Sequence, residues 1–360
     1  MIEELYLRNF RNYGEARLSF SSGINLFCGE NGQGKTNLLE AIYLLGMLSS
    51  FRKAEAASMV KKGEETFCIS GDFTGDGAYK LLLEKGPRGW EKISANGSLY
   101  RKKLDYLGKI RIVVFSPDEI ELIQGSPEGR RRYIDRTCFN TSHHYLKQLK
   151  NYRRVLKQRN ILLKKGIFRG EEFGTWTERL ALAGAKIVKE RAALIEKLNQ
   201  KLSEGHPFLG TDSIKLRYVG TCTGDEMDVS QGLLDKLTSS SHVERCRRTT
   251  VSGPHRDDIE ISVNGTVAKA FSSRGEMRSV LLALKTAETA LYDDIWGESP
   301  LILLDDVASE LDIGRRSALI SFLREKGNQV LMTTTEAENI PLFGNKEDTL
   351  FRVSEGKIIH

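Results

Sequence analysis

The chain has 360 residues, enough for two domains or for one domain carrying a large insertion, and its 40% hydrophobic and 28% charged residues describe a globular core with an ordinary surface. No apolar run nears the roughly 20 residues that span a bilayer, and the opening "MIEELYLRNFRNY" carries charges where a signal peptide has an apolar centre, so neither a membrane span nor a secretory leader is expected. The formal charge is +6, and the five cysteines (28, 68, 138, 222, 246) include no close pair, which argues against a zinc site or a disulfide framework and for a reducing cytoplasm.

In chain order, "IEELYLRNF" and "INLFCG" read as short strands, and residues 36–48 follow with apolar positions at 38, 39, 42 and 45, the spacing of a helix. "TFCISGDF", "AYKLLLEKG" and "IRIVVF" add strands between Gly-rich turns, with a hairpin signal at "ANGS", 95–98. From 143 to 165 and again from 176 to 198, apolar residues recur in steps of three and four around the connector "KKGIFRGEEFG". That pattern predicts an antiparallel helical hairpin with arms of roughly 35–45 Å. A strand ("SIKLRYV"), a helix (228–246), further strands over 248–271, a helix (275–292), the strand "LILLDD", a helix (314–326) and the strand "QVLMTT" complete the chain.

Charge is unevenly placed. Residues 130–165 hold twelve Lys and Arg against one acid, Asp135, a local net charge of +11. Such a field attracts polyanions, although a solvated helical face accounts for many of these residues equally well.

The chemistry begins at Gly29, Glu30, Asn31, Gly32, Gln33, Gly34, Lys35 and Thr36, which match GxxxxGK[ST] between an apolar strand and a periodic helix. The glycines let successive N–H groups face phosphate, Lys35 reaches the β- and γ-phosphates of ATP, and the Thr36 hydroxyl ligates Mg2+. A second metal contact is expected at the end of an apolar strand, and "LILLDD" supplies it: Asp305 for the metal, Asp306 to orient the attacking water. The two motifs stand 270 residues apart, too far for a compact mononucleotide fold. One ATPase core is therefore assembled from both chain ends with the middle inserted, which is no plan for a small-molecule kinase. "FSSRGEMRS" (271–279) opens a helix with Ser273, Gly275 and Glu276, a further anion-binding turn suited to capping the nucleotide of a second copy.

The order phosphate loop, "SRGE", "LILLDD", "SELD" resembles the ABC-type ATPase superfamily, and within it the heads of SMC-like DNA repair proteins. "LRNFRNY", "FSPDEIELIQGSPEGRRRYID", "GPHRDD" and "LLDDVASELD" narrow the resemblance to the RecF family, nearly end to end. The resemblance implies an α/β, ABC-type P-loop core with mixed sheet and an inserted, mainly helical lobe: residues 1–115 and 251–360 as the ATPase, 116–250 as the lobe with the hairpin. It implies that Ser273, Gly275 and Glu276 act across a homodimer on the partner's γ-phosphate. Ser309, Glu310, Leu311 and Asp312 become the D-loop, Arg11 and Asn12 the adenine and ribose side, and Asn31 and Asn37 supports of the phosphate loop. Three departures accompany it: Asp306 where transporter cassettes carry Glu, Ser116 near the Q-loop glutamine position, and Thr335 (or Thr334) at a switch position often held by His. All three fit a slow hydrolase working as a switch.

For DNA, duplex or a single-strand/double-strand junction, the family implies sequence-independent binding and recombination mediator partners of the RecR and RecO type. Two basic surfaces compete: Arg52, Lys53, Lys61 and Lys62 on the core lobe, which is favoured, and Arg130, Arg131, Arg132, Lys147, Lys150, Arg153 and Arg154 on the insertion. "GPHRDD" is either a phosphate contact through His255 and Arg256 or a structural turn, the latter preferred. A transporter's nucleotide-binding subunit and a purely structural SMC-like head are the alternative classes. The first lacks its LSGGQ turn, Glu and His here.

Overall fold

The computed structural model describes residues 1–360 except 53, 76, 88, 205–212, 223, 271–272, 308–310, 341–342 and 360, with 56, 57, 143, 274 and 339 described by backbone alone. The chain divides into two compact units, one built from Met1–Ile120 with Arg274–His360, the other from Glu121–Gly205 with Thr211–Ser273.

The first unit starts with β1 (Ile2–Phe10), β2 (Tyr13–Ser19), β3 (Ile24–Cys28) and α1 (Lys35–Met47). It continues through β4 (Phe67–Phe73), β5 (Tyr79–Gly86), β6 (Gly89–Ala95), β7 (Ser98–Leu99), α2 (Lys103–Tyr106) and β8 (Ile112–Phe115). The second unit contributes α3 (Glu121–Gln124), α4 (Pro127–Thr141), α5 (His143–Lys164), α6 (Glu171–Ser203), β9 (Ile214–Val219), α7 (Glu226–Ser239), α8 (Ser241–Arg247), β10 (Asp258–Val263) and β11 (Thr266–Val267). The chain then returns to the first unit with α9 (Arg274–Trp296), β12 (Leu301–Leu304), a helix over Ile313–Glu325, β13 (Val330–Thr334), β14 (Thr349–Ser354) and β15 (Lys357–Ile359).

Two six-stranded sheets organise the first unit. One is antiparallel, in the order β2-β1-β4-β5-β6-β7. The other runs β15-β14-β3-β13-β12-β8, parallel except for the edge hairpin β14–β15. Its central strands "LILL" and "VLMTT" and the edge strand "IVVF" are buried along their whole length, as strands covered on both faces must be. Ile24, Leu26, Val113, Ile302, Leu304 and Met332 form the core there with Leu319, Ile320 and Leu323 of the helix behind them. Each such side chain contributes about 1.5–3 kcal/mol by leaving water. Helix α1 touches strands of both sheets and buries eleven of its thirteen residues, so its apolar positions run all round rather than along one stripe. Because β3, β13 and β12 are parallel neighbours, their carboxyl ends lie side by side. Two of them come from the last sixty residues and one from the first thirty, which is how distant motifs meet.

In the second unit the expected hairpin forms, with departures. By helix geometry α5 is about 33 Å long and α6, at 33 residues, about 50 Å. The pair is not a projecting arm: α6 also packs on β9 and α7, burying Ile187, Val188, Leu194, Ile195 and Leu198. The helix expected over 228–246 is two, α7 capped by the Asp225 carboxylate accepting from the N–H groups of Met227 and Asp228, and α8 beyond a break at Ser240. The expected boundary at 250/251 moves to 273/274, because β10 pairs antiparallel with β9 of the insertion, Asp258 opposite Val219 through Val263 opposite Ile214.

"GPHRDD" lies in this unit and is a clasp. Asp257 accepts from the Tyr218 hydroxyl (2.6 Å) and from both the N–H and hydroxyl of Thr221 (2.9 and 2.7 Å). Asp258 takes two bonds from Arg130 (2.7 and 2.8 Å), and Arg191 donates to the Pro254 carbonyl at 2.7 Å. His255 sits 2.6 Å from the Tyr152 hydroxyl and 3.2 Å from the Thr250 carbonyl, contacts that a neutral ring with its proton on Nε2 satisfies together. Burial, with Arg256 and Arg131 nearby, holds the ring's pKa down to about 4 from 6.5. A folded pKa below the unfolded one means that the unfolded chain takes up the proton first. The stabilisation from neutral His255 is therefore complete above about pH 6.5 and is lost, by about 3 kcal/mol, as pH falls toward 4. Urea midpoints across that window should decline in the wild type and decline much less in His255→Gln. Equal slopes would show that another group carries the pH dependence.

Candidate functional site

The loop between β3 and α1 takes its shape from the protein itself. Gly32 and Gly34 have φ of 82° and 115°, and a Cβ on Gly34 would come within 2.6 Å of the Asn12 side chain, so both the backbone angle and the space require glycine. From the β1–β2 turn, the Asn12 amide donates to the Gln33 carbonyl (2.8 Å) and accepts from Asn37 (2.8 Å), while the Tyr13 hydroxyl donates to the Gly34 carbonyl (3.1 Å). From the β14–β15 turn, the N–H groups of Glu355 and Gly356 donate to the side chain and carbonyl of Gln33. Lys35 arches over the loop, its ammonium donating to the carbonyls of Gly29 (2.5 Å) and Glu30 (2.8 Å). Burial lowers its pKa, and Asp306, Cys28 and Asp305 oppose that shift.

The carboxyl end of β12 delivers the acids. Asp305, buried, accepts from the hydroxyls of Thr36 (2.7 Å) and Thr333 (3.0 Å), and the Thr333 hydroxyl in turn accepts from the Asp306 N–H at 2.8 Å. Burial pushes the Asp305 carboxyl up, an effect partly offset by those two hydroxyls and by Arg52. Asp306 has a left-handed backbone, φ 51°, sparsely populated by residues other than Gly, Asn and Asp. The Thr36 and Asp305 oxygens form a hard donor pair that suits magnesium. Among the described residues no group of three or more His, Cys, Asp or Glu forms a metal cage.

A cavity of about 540 Å3 opens over this arrangement, within the range of small-molecule sites. Asn31, Gly32, Gly34, Lys35 and Thr36 of the phosphate loop line it with Asn37, Asp306 and Thr333, and so do Arg11, Asn12, Ser58, Val60, Arg52 and Lys62. Arg52 and Lys62, both exposed, therefore stand at this pocket. The chain after α1 folds back over the loop, with Arg11 N–H bonded to the Met59 carbonyl, Lys61 N–H to that of Asn9, and the Arg52 guanidinium to Asn37 at 3.3 Å.

The other expected residues divide. Arg130 has a side chain 9% exposed and bound to Asp258, so it is internal and unavailable to a polyanion. Arg131 is half-buried and donates to the Asp257 carbonyl. Arg132, Lys147, Lys150, Arg153 and Arg154 are exposed, Arg132 paired with Glu128 and Arg153 3.6 Å from Asp135. Lys61 is half-buried, and Lys53 lies outside the described residues. Ser273 is exposed directly before α9, and Gly275 and Glu276 stand in its first turn without lining the cavity. Ser309 and Glu310 lie outside the described residues. Leu311 is in the core and Asp312 caps the next helix through the Arg315 N–H (2.9 Å). Ser116 follows β8, buried. Thr335 is exposed and Thr334 is turned to Glu336, so the cavity-lining threonine is Thr333. Its signal was the parallel register: Leu304 opposite Met332 sets Asp305 level with Thr333.

Residues 1–79 match the family model of the RecF/RecN/SMC N terminal domain. The DNA replication and repair protein RecF of Geotalea uraniireducens (strain Rf4) is 37% identical over 364 residues, covering 100% of each chain. RecF of Symbiobacterium thermophilum is also 37% identical, covering 99% of this chain and 98% of its own. The solved structure of RecF with ATP, a recombination mediator protein of the RecFOR pathway, superposes with a TM-score of 0.92 at 33% identity, covering 99% of this chain and 96% of that one. An Smc head bound to the C-winged helix domain of ScpA shares the fold, with a TM-score of 0.57 at 18% identity and cover of 99% and 97%.

Proposed function

The chain belongs to the RecF family, and from that premise we propose that it is an ABC-type ATPase of DNA repair that dimerises on ATP and holds DNA until hydrolysis releases it. The observation that carries the reading is the Thr36–Asp305–Thr333 contact, which joins the two ends of the chain beside Lys35 and Asp306 at one cavity. Lys35 and the loop N–H groups bind the phosphates of ATP. Thr36 and Asp305 hold Mg2+, which when bound neutralises phosphate charge. Asp306 orients water, and its short carboxylate on a left-handed backbone suits a slow switch better than a fast motor.

Exposed Ser273 at the head of α9, with Glu276 in the first turn, fits a group offered to a second copy's nucleotide, giving a two-fold dimer. With Arg130 held internally by Asp258, the exposed Arg52, Lys62, Arg132, Lys147, Lys150 and Arg154 are available to meet DNA phosphates. They offer no base-reading element, so binding is sequence-independent. Recombinase loading with mediator partners of the RecR and RecO type follows from the RecFOR pathway of the solved relative. No described helix is long and apolar enough to cross a membrane, and the setting is cytoplasmic on this reading.

The test is anisotropy of labelled duplexes of unrelated sequence. A non-hydrolysable ATP analogue should tighten binding to all of them, with log affinity falling against log salt by about 0.9 per phosphate neutralised. DNA binding indifferent to nucleotide would contradict the reading.

A further inference from the structure

The β14–β15 hairpin lies against the phosphate loop at both of the loop's ends. Glu355 and Gly356, with φ of 48° and 70°, are the left-handed pair of a tight turn that sets Ser354 opposite Lys357. Where the loop begins, a Cβ on Gly29 would stand 2.3 Å from the Val353 carbonyl oxygen, so β14 packs on the loop backbone itself. Where it ends, the Glu355 N–H donates to the Gln33 side chain at 2.5 Å and the Gly356 N–H to the Gln33 carbonyl at 3.0 Å. A Cβ on Gly356 would come within 2.5 Å of the Asn12 carbonyl oxygen, so a side chain there would push the hairpin off the β1–β2 turn.

The Gln33 carbonyl takes a second bond from the Asn12 amide at 2.8 Å, which fills both of its lone pairs. A trans peptide points its C=O and the next N–H in opposite directions. Holding the Gln33 oxygen against the β1–β2 and β14–β15 turns therefore turns the Gly34 N–H the other way, and Gly34 lines the cavity. The bonds of Lys35 to the Gly29 and Glu30 carbonyls cannot fix the loop while its ammonium is on phosphate, so the loop needs a hold from outside.

We propose that Gly356 is a positioning residue, through which the β14–β15 hairpin holds the phosphate loop in its anion-binding shape with the Gly34 N–H turned inward. Nucleotide then binds without having to order the loop. The proposal rests on the ATP reading and adds to that site a part of the chain that none of its motifs contains.

Steady-state hydrolysis and calorimetry of the full chain with magnesium test it. Gly356→Ala should raise KM for ATP about tenfold with kcat held within about twofold, the mark of binding lost equally from ground and transition states. Calorimetry should show the same loss for ATP and for inorganic tripolyphosphate, which has no base. A purely structural defect would instead lower kcat through a smaller folded fraction and leave KM alone. Gln33→Met keeps the carbonyl but gives up the side-chain bond to Glu355, and should weaken both ligands about threefold. Unchanged KM in Gly356→Ala, a loss for ATP without one for tripolyphosphate, or full affinity in Gln33→Met would overturn the proposal, and the last result decides even if Gly356→Ala fails to fold. A wild type that binds neither ligand would instead sink the nucleotide reading, and the proposal with it.

Discussion

Asp306→Asn is expected to lower ATP turnover by about 10²–10⁴-fold, the usual loss when a positioned base is removed, while nucleotide binding persists. The substitution is close to isosteric, and Asn tolerates the left-handed backbone at φ 51° at least as well as Asp. The Asp306 N–H bond to Thr333 is made by the backbone and survives. What disappears is the carboxylate that lines the cavity. If hydrolysis is the release step, the same variant should remain on duplex DNA far longer than wild type in the presence of ATP. Single-turnover hydrolysis and dissociation of a labelled duplex measure the two effects. Unchanged turnover would remove Asp306 from the chemistry, and lowered turnover with unchanged lifetime on DNA would favour a head whose ATP cycle does not control release.

Arg159→Met should be the most damaging single change in the second unit. Arg159, 1% exposed, donates to Thr177 (3.0 Å), to Thr250 (2.8 Å) and to both oxygens of Glu244 (3.0 and 2.6 Å), with its guanidinium carbon 4.7 Å from the centre of the Phe173 ring. It ties α5 to α6, α8 and the segment that enters the Gly253 turn. Removing the cation leaves a buried carboxylate without its partner, which costs about 3–5 kcal/mol, whereas replacing both ions with apolar groups is often near neutral. Urea unfolding should therefore show a large loss for Arg159→Met and substantial recovery when Glu244→Leu is added. A loss below about 1 kcal/mol in the single variant would mean that water reaches the site and the pair is weak.

The contrast between those two residues marks what the sequence discloses. The convergence of Lys35, Thr36, Asp305 and Asp306 was legible because a glycine-rich loop and a pair of acids each mark the end of an apolar strand, and parallel pairing then brings the ends together. The arginines were not. Arg130 and Arg159 count toward the +11 of residues 130–165, yet each is an internal counter-ion, to Asp258 and Glu244, partners 128 and 85 residues away. Composition registers their charge and is blind to their neutralisation, so the basic surface shrinks. The nearness of Arg52 and Lys62 to the cavity went unread for a related reason: the fold-back of residues after α1 is fixed by backbone bonds to Asn9 and Arg11 that leave no periodic trace. The lobe boundary shifted because strand pairing, β10 with β9, outranks sequence order. "GPHRDD" was a turn whose acids needed partners, and those partners, Arg130, Tyr218 and Thr221, became visible only in three dimensions.

ATP is expected to assemble two copies of this chain through the turn at Ser273. Sedimentation velocity of wild type and Ser273→Arg, with and without a non-hydrolysable ATP analogue, tests it directly. Wild type should shift to a dimer when the analogue is present, and Ser273→Arg should bind the analogue yet stay a monomer. A wild type that remains monomeric with nucleotide and duplex DNA both present would contradict the account.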